Sequence, residues 1–200
     1  MGLAKQICNV EQLLYKPAAL SHTILTELMI PAYANFGGKI HGGIILSLMD
    51  KVAYVCAAKH AETYCVTASI DAVDFLQSVE VGDLVSLKAS VNYVGRSSMV
   101  VGIRVESENL KKKTCKHTNT SYFTMVAKGD DDKPVQVPGL ILETEEEIRR
   151  FMEAIKRKAL KQGVQQEAKH IKTSITLQEA VQLVANERCK ISSAFVPDNQ

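Results

Sequence analysis

The strongest constraint on the fold is an apolar segment, residues 44–59, which is followed by a change of sequence period. Apolar side chains occupy more than one helical stripe of Ile44–Lys59, and a helix that is apolar nearly all round is usually buried. Four later segments carry β-branched residues in two-residue alternation, which is typical of strands. The sequence therefore predicts a buried central helix and then a run of strands. These strands are Cys65–Phe75, Leu84–Tyr93, Ser97–Ser107 and Thr118–Ala127.

Short turns connect the predicted strands. Gly82-Asp83 and Gly95-Arg96 mark two of them, and the lysine-rich run Asn109–Lys113 marks a third. Consecutive strands with such short links pair antiparallel. An earlier alternating run, Ser21–Ile30, adds one strand, which Pro31 ends because proline lacks a ladder donor. We expect an α+β fold in which an antiparallel sheet curls around the long helix.

The 200 residues suffice for one domain with an extension. The polar, proline-bearing run Asp130–Pro138 separates the two parts. We divide the chain into an N-terminal segment, a main domain, and a linker with a C-terminal helical extension. Their bounds are 1–20, 21–130 and 131–200.

Two capping boxes predict helices in the extension. Thr144–Glu147 begins the first helix and Thr176–Glu179 the second, because in each box a threonine and a glutamate satisfy first-turn amides reciprocally. The intervening polar stretch, Lys161–Thr173, is predicted to be flexible.

Composition and targeting signals exclude several classes of protein. Lys and Arg total 24 against 22 Asp and Glu, a balance that gives no case for a nucleic-acid partner. No apolar run approaches the roughly 18 residues of a membrane span, and the N-terminus lacks a signal-peptide layout. The five cysteines include no Cys-x-x-Cys pair, which argues against a metal site. We expect a cytoplasmic protein without a membrane span.

The stretch Asn35–Asp50 is the most informative for chemistry. His41-Gly42-Gly43 opens the predicted helix, and first-turn amides at the positive end of a helix dipole can polarise a carbonyl oxygen. Asp50 lies two turns further along the same face. A carboxylate in an apolar helix is costly unless it is paired, so Asp50 is either functional at a cleft or marks, with Lys51, the solvent side.

Structural interpretations of the neighbouring residues also stay open. His41 fits a loop residue that hydrogen-bonds the backbone, Asn35 fits a turn cap, and Arg96 fits a solvated turn residue.

Six short motifs follow one another over residues 20–130. They are His41-Gly42-Gly43, Met49-Asp50, Val66–Asp71, Asp74-Phe75, Gly82-Asp83 and Gly95–Met99. In this order and spacing the set resembles the acyl-CoA thioesterase branch of the hotdog-fold superfamily. The resemblance implies an antiparallel sheet wrapped around a long helix. It also implies a homodimer with active sites between the units, and often a hexamer built as a trimer of dimers.

The resemblance further implies roles for individual residues. Asp50 matches an acid that acts as general base for water or as nucleophile on the thioester. Asn35 matches a loop residue that reaches the site from the partner subunit and positions the water. The amides around Gly42 and Gly43 match the oxyanion site. The residues expected to bind the substrate are His41, Arg96, Ser97 and Ser98. The last three belong to the Gly95–Ser98 turn, which is expected to lie near the coenzyme A phosphates.

The activity implied is hydrolysis of fatty acyl-CoA to free fatty acid and coenzyme A. Coenzyme A is then part of the substrate and product, and no separate cofactor or metal is expected. Two alternatives stay open: a non-catalytic acyl-CoA-binding regulator, and a hotdog dehydratase acting on hydroxyacyl thioesters. Tight binding without turnover would favour the first, and an enoyl product would favour the second.

Overall fold

The computed structural model of the protein describes residues 14–174, 176–184 and 187–192. The chain divides into two compact units between Ile155 and Lys156. The first unit contains the predicted central helix and all the strands.

Helix α1, Gly42–Ala61, is the central element. It ends where Glu62 adopts the left-handed conformation (φ 54°) and donates its amide to Ala58 O at 2.8 Å. Its apolar face is buried, but the opposite face is exposed within a single chain, so the expectation of burial on all sides holds for one face only. The buried residues are Ile45, Leu48, Met49, Val52, Ala53, Cys56, Ala57 and His60. The exposed ones are Gly43, Ser47, Asp50, Lys51, Tyr54, Val55 and Lys59.

Five strands form one antiparallel sheet in the first unit. They are β2 Thr23–Leu28, β3 Tyr64–Ile70, β4 Leu84–Val94, β5 Ser98–Asn109 and β6 Thr114–Lys128. Their order in the sheet is β2-β4-β5-β6-β3. Alternate residues of β4, β5 and β6 are buried against α1, because successive side chains of a strand point to opposite faces. The sheet with its long helix confirms the predicted α+β hotdog fold.

A second, two-stranded sheet extends the first unit beyond residue 130. Strand β1, Tyr15–Pro17, pairs in parallel with β7, Gly139–Ile141. Val137 and Ala154 are buried in this part of the chain. The first compact unit therefore includes part of the stretch that the sequence assigns to the linker and extension.

Two helices follow: α2, Glu145–Ser174, and α3, Leu177–Val184. Both capping boxes are present, since the Glu147 amide donates to Thr144 Oγ1 at 3.2 Å and the Glu179 amide to Thr176 Oγ1 at 3.3 Å. The stretch Lys161–Thr173, which the sequence predicts to connect the two helices, is itself helical and lies within α2. Its glutamines, its lysines and Ala168 are good helix formers and outweigh the single Gly163.

Candidate active site

The central contact of the site is between Asp50 and Thr67. Asp50 lies on the exposed face of α1, and Thr67 lies on β3, an edge strand of the sheet. Thr67 Oγ1 donates to Asp50 Oδ1 at 2.6 Å, and Met125 Sδ lies 3.4 Å from the same hydroxyl. Asp50 Oδ2 has no hydrogen-bond partner among the described residues. One oxygen of the carboxylate is therefore held in place while the other is free to take a proton or to attack.

The start of α1 is capped by its own histidine. His41 Nδ1 accepts a hydrogen bond from the Gly43 amide at 2.8 Å, which requires a neutral ring with its proton on Nε2. The Gly43 amide is therefore occupied. The Gly42 amide has no acceptor in the part of the chain that the structure describes, so of the two predicted oxyanion donors it is the one available to a ligand.

Gly42 also lies close to an aromatic ring. A Cβ added at this position would be 3.2 Å from Phe75 Cζ, so glycine allows the loop after β3 to lie against the start of α1. Phe75 is about half exposed, and its ring forms an apolar wall next to the free Gly42 amide.

Asn35 organises the loop before α1. Its Oδ1 accepts hydrogen bonds from the backbone amides of Gly37 (2.9 Å) and Lys39 (3.1 Å). The backbone amide of Asn35 donates to Lys39 O at 2.6 Å. The turn-cap interpretation is therefore correct for Oδ1. The Nδ2 group has no acceptor among the described residues, and the structure gives no contact between Asn35 and Asp50 within one chain. Phe36, at the tip of this loop, is fully exposed.

Arg96 lies in the exposed turn between β4 and β5. The turn is closed by the Gly95 amide, which donates to Ser98 O at 2.7 Å, and Ser97 O accepts from Ala127 at 2.9 Å. The Arg96 guanidinium has no partner among the described residues.

The strand register places the Arg96 turn at the same end of the sheet as Thr67. Thr67 pairs with Met125 across β3 and β6, and Met125 pairs with Met99, which follows the turn on β5.

Sequence reasoning missed Thr67 as a functional residue. The residue belongs to the Val66–Asp71 motif, but only the fold shows that its hydroxyl reaches a carboxylate 17 positions earlier. An exposed threonine on an edge strand carries no sequence signal of its own.

Two buried thiols lie on the same elements as Asp50 and Thr67, namely Cys56 on α1 and Cys65 on β3. Burial raises the pKa of the Cys56 thiol to about 12 and that of Cys65 to about 11, so both are unreactive. The described residues contain no group of three His, Cys, Asp or Glu side chains that could hold a metal ion. Nor does any helix in the described ranges have the length and apolarity needed to cross a membrane.

Comparison with known proteins identifies related chains. The sequence profile of the thioesterase superfamily matches residues 37–114. Protein VdlD of Helicobacter pylori is 44% identical over 148 residues, which cover 74% of this chain and 84% of VdlD.

Two solved structures share the fold. A hexameric acyl-CoA thioesterase, determined in its apo form, is 42% identical with a TM-score of 0.72, over 74% of this chain and 96% of that one. An acyl-CoA hydrolase from Staphylococcus aureus, in complex with butyryl coenzyme A, is 30% identical with a TM-score of 0.72, over 78% and 96% of the two chains.

Further structures of the S. aureus enzyme carry single alanine substitutions. They replace an aspartate, an asparagine 15 residues before it and a threonine 17 residues after it. Asn35, Asp50 and Thr67 have the same residue types and the same two spacings in this chain.

Proposed function

The chain belongs to the acyl-CoA thioesterase family of the hotdog fold, and we propose on this basis that it hydrolyses acyl-CoA thioesters to the free acid and coenzyme A. The observation that carries the proposal is the Asp50–Thr67 hydrogen bond of 2.6 Å beside an exposed helix face. The two solved relatives described above are named an acyl-CoA thioesterase and an acyl-CoA hydrolase, so neither a dehydratase nor a non-catalytic regulator is favoured.

Asp50 supplies the reactive carboxylate in this proposal. With Oδ1 fixed by Thr67, Oδ2 takes a proton from water while the water oxygen attacks the thioester carbonyl carbon. The carbon–sulfur bond then breaks, and the thiolate leaves and takes up a proton. Alternatively Oδ2 attacks the carbonyl carbon directly, the carbon–sulfur bond breaks and the thiolate leaves with a proton from solvent. Water then hydrolyses the resulting anhydride to the free acid and the Asp50 carboxylate. Both routes need the same free oxygen and no redox or metal chemistry.

The Gly42 amide is the proposed oxyanion donor. It lies at the positive end of the α1 dipole, where a developing negative charge is stabilised. Since the Gly43 amide is bonded to His41 Nδ1 at 2.8 Å, His41 acts in this proposal by shaping the helix start rather than by contacting the carbonyl.

Arg96 is proposed to bind a phosphate of the coenzyme A moiety, with Ser97 and Ser98 beside it. A guanidinium is suited to phosphate because its fork of donors matches two phosphate oxygens. The absence of an internal partner for Arg96 among the described residues supports this role.

The active form is proposed to be a homodimer, and a hexamer built from three dimers as the larger assembly. The Asn35 Nδ2 group is free among the described residues and has no contact with Asp50 in its own chain, so a second copy would bring the two together. The fully exposed Phe36 beside it is an apolar anchor for such a contact. A hexameric relative shares the fold.

The direct test incubates the wild-type protein with acyl-CoAs of increasing chain length and analyses the products. Hydrolysis predicts release of one thiol and one free acid per molecule, with no enoyl thioester. An enoyl product without thiol release, or tight acyl-CoA binding without any turnover, would contradict the proposal.

A further inference from the structure

A polar cavity of about 380 Å³ lies at the other end of the sheet from Arg96. Strand β5 runs from Ser98, beside Arg96, to Asn109, at the cavity. At about 3.3 Å per residue this separates the two places by roughly 36 Å within one chain. We call this cavity the lysine pocket. It is lined by Lys39, Glu80, Asp83, Asn109, Lys112, Thr114 and Lys116.

The two carboxylates of the lysine pocket are already engaged. Lys39 Nζ lies 2.7 Å from both oxygens of Glu80, and this contact lowers the pKa of Glu80. Asp83 is buried and accepts hydrogen bonds from Ser107 Oγ (2.7 Å) and Asn109 Nδ2 (2.9 Å). Neither carboxylate therefore presents a free negative oxygen to a ligand.

The cations of the pocket are in excess. Lys112 has no side-chain partner among the described residues, and Lys116 Nζ stands 3.9 Å from an Asp83 oxygen that is already bonded. With Lys39 they give three ammonium groups against two carboxylates, and the Thr114 hydroxyl lies among them. The cavity volume lies in the range of small-molecule sites.

We propose that the lysine pocket binds a phosphate-bearing anion. Lysine binds phosphate as a point charge, and the three lysines of the pocket exceed its two carboxylates by one positive charge. Lys112 has no carboxylate partner among the described residues, and Lys116 has only the distant contact with Asp83. The phosphates have two sources, a free polyphosphate or the coenzyme A of a substrate held by a second copy. The second source rests on the proposed function, in which the Asn35 loop lies beside the active site of a second copy. Lys39 belongs to this loop, because the Lys39 backbone amide donates to Asn35 Oδ1 at 3.1 Å.

The binding test uses inorganic tripolyphosphate and isothermal titration at fixed ionic strength. The pocket variant is Lys112→Gln with Lys116→Gln. The matched control is Lys111→Gln with Lys113→Gln, which removes the same charge from the same β5–β6 hairpin but from outside the cavity lining. We expect Kd to rise at least tenfold in the pocket variant and less than threefold in the control.

Equal weakening in both variants, or no binding by the wild type at millimolar tripolyphosphate, would overturn the proposal. A thermal melt of each variant separates loss of binding from loss of folding. If the pocket variant does not fold, the single change Lys112→Gln takes its place, because Lys112 has no internal side-chain contact among the described residues.

The source of the phosphates is tested by the Michaelis constants of two thioesters, acyl-CoA and the matching acyl-pantetheine, which lacks the phosphates. A rise in KM for acyl-CoA alone, confined to the pocket variant, supports the site and assigns it to substrate phosphates. Unchanged KM values with lost tripolyphosphate binding support the site and assign it to a free anion. If the wild type turns over neither thioester, the proposed function fails while the titration still decides the pocket.

Discussion

At the scale of single residues, the hydroxyl of Thr67 sets the position of the Asp50 carboxylate. A hydrogen bond to a charged acceptor is worth about 1.5–3 kcal/mol, so Thr67→Val should lower kcat roughly ten- to hundredfold while the protein stays folded. The measurement is steady-state thiol release. Thr67→Ser keeps the hydroxyl and should retain most of the activity, whereas turnover by Thr67→Val within twofold of wild type would show that the bond is not used.

The second prediction for a single residue concerns the buried His60. Its ring is 1% exposed, Nε2 lies 2.9 Å from Pro138 O, and Nδ1 has no partner among the described residues. Burial lowers the pKa of His60, with a smaller effect in the same direction from Lys16, while Glu62 and the bond to Pro138 act oppositely. The folded protein therefore binds a proton on this ring less readily than the unfolded chain does.

The unfolded chain protonates the same ring below about pH 6.5. Because the unfolded state then binds more protons, the free energy of unfolding should fall as pH drops through and below that value. Denaturant unfolding between pH 8 and pH 5 measures the slope, and His60→Gln should flatten it. Equal slopes for the two proteins would mean that another group controls the acid response.

Particular residues show how far sequence reasoning reaches. Asp50, His41 and the paired glycines can be identified from spacing because they share one helix start. Thr67 cannot, because its contact spans 17 residues and depends on strand β3 lying beside α1. The cap that His41 places on Gly43 depends on a side-chain rotamer, which residue patterns do not specify.

At the scale of elements, the change from a helical to a two-residue sequence period predicts the long helix and the long strands well. The short strands are not predicted. Helix α1 and strands β4 and β5 begin and end within about two residues of the predicted bounds. Strand β3 ends at Ile70 rather than Phe75, because the next residues leave the ladder and carry Phe75 to the helix start. The three-residue strands β1 and β7 are too short to show any alternation.

Helix α2 gives a prediction at this scale. A Cβ at Gly163 would meet nothing within 4 Å, so Gly163→Ala should stabilise the helix by up to about 1 kcal/mol, and Gly163→Pro should destabilise it by about 3 kcal/mol. Hydrogen exchange of the amides of residues 164–174 measures the effect. Rapid exchange in the wild type, unchanged in both variants, would contradict a helix in this stretch.

At the scale of the whole molecule, the proposed homodimer builds each active site from two copies of the chain. Asn35→Ala and Asp50→Ala should each be inactive, but mixing the two proteins under conditions of subunit exchange should restore about a quarter of the wild-type activity. Half of the dimers are then mixed, and each mixed dimer has one intact site. Activity that stays absent after confirmed subunit exchange would place both residues in the same chain's site.

Catalysis by the Asp50 carboxylate is tested by comparing thiol release from acyl-CoA by the wild type, Asp50→Asn and Lys51→Gln. The last variant is the matched control, because Lys51 is exposed on the same face of α1 beside Asp50. Loss of a catalytic base or nucleophile should reduce turnover by Asp50→Asn at least about a hundredfold, and Lys51→Gln should stay near the wild-type rate. A folded Asp50→Asn protein that releases thiol at the wild-type rate would contradict the account.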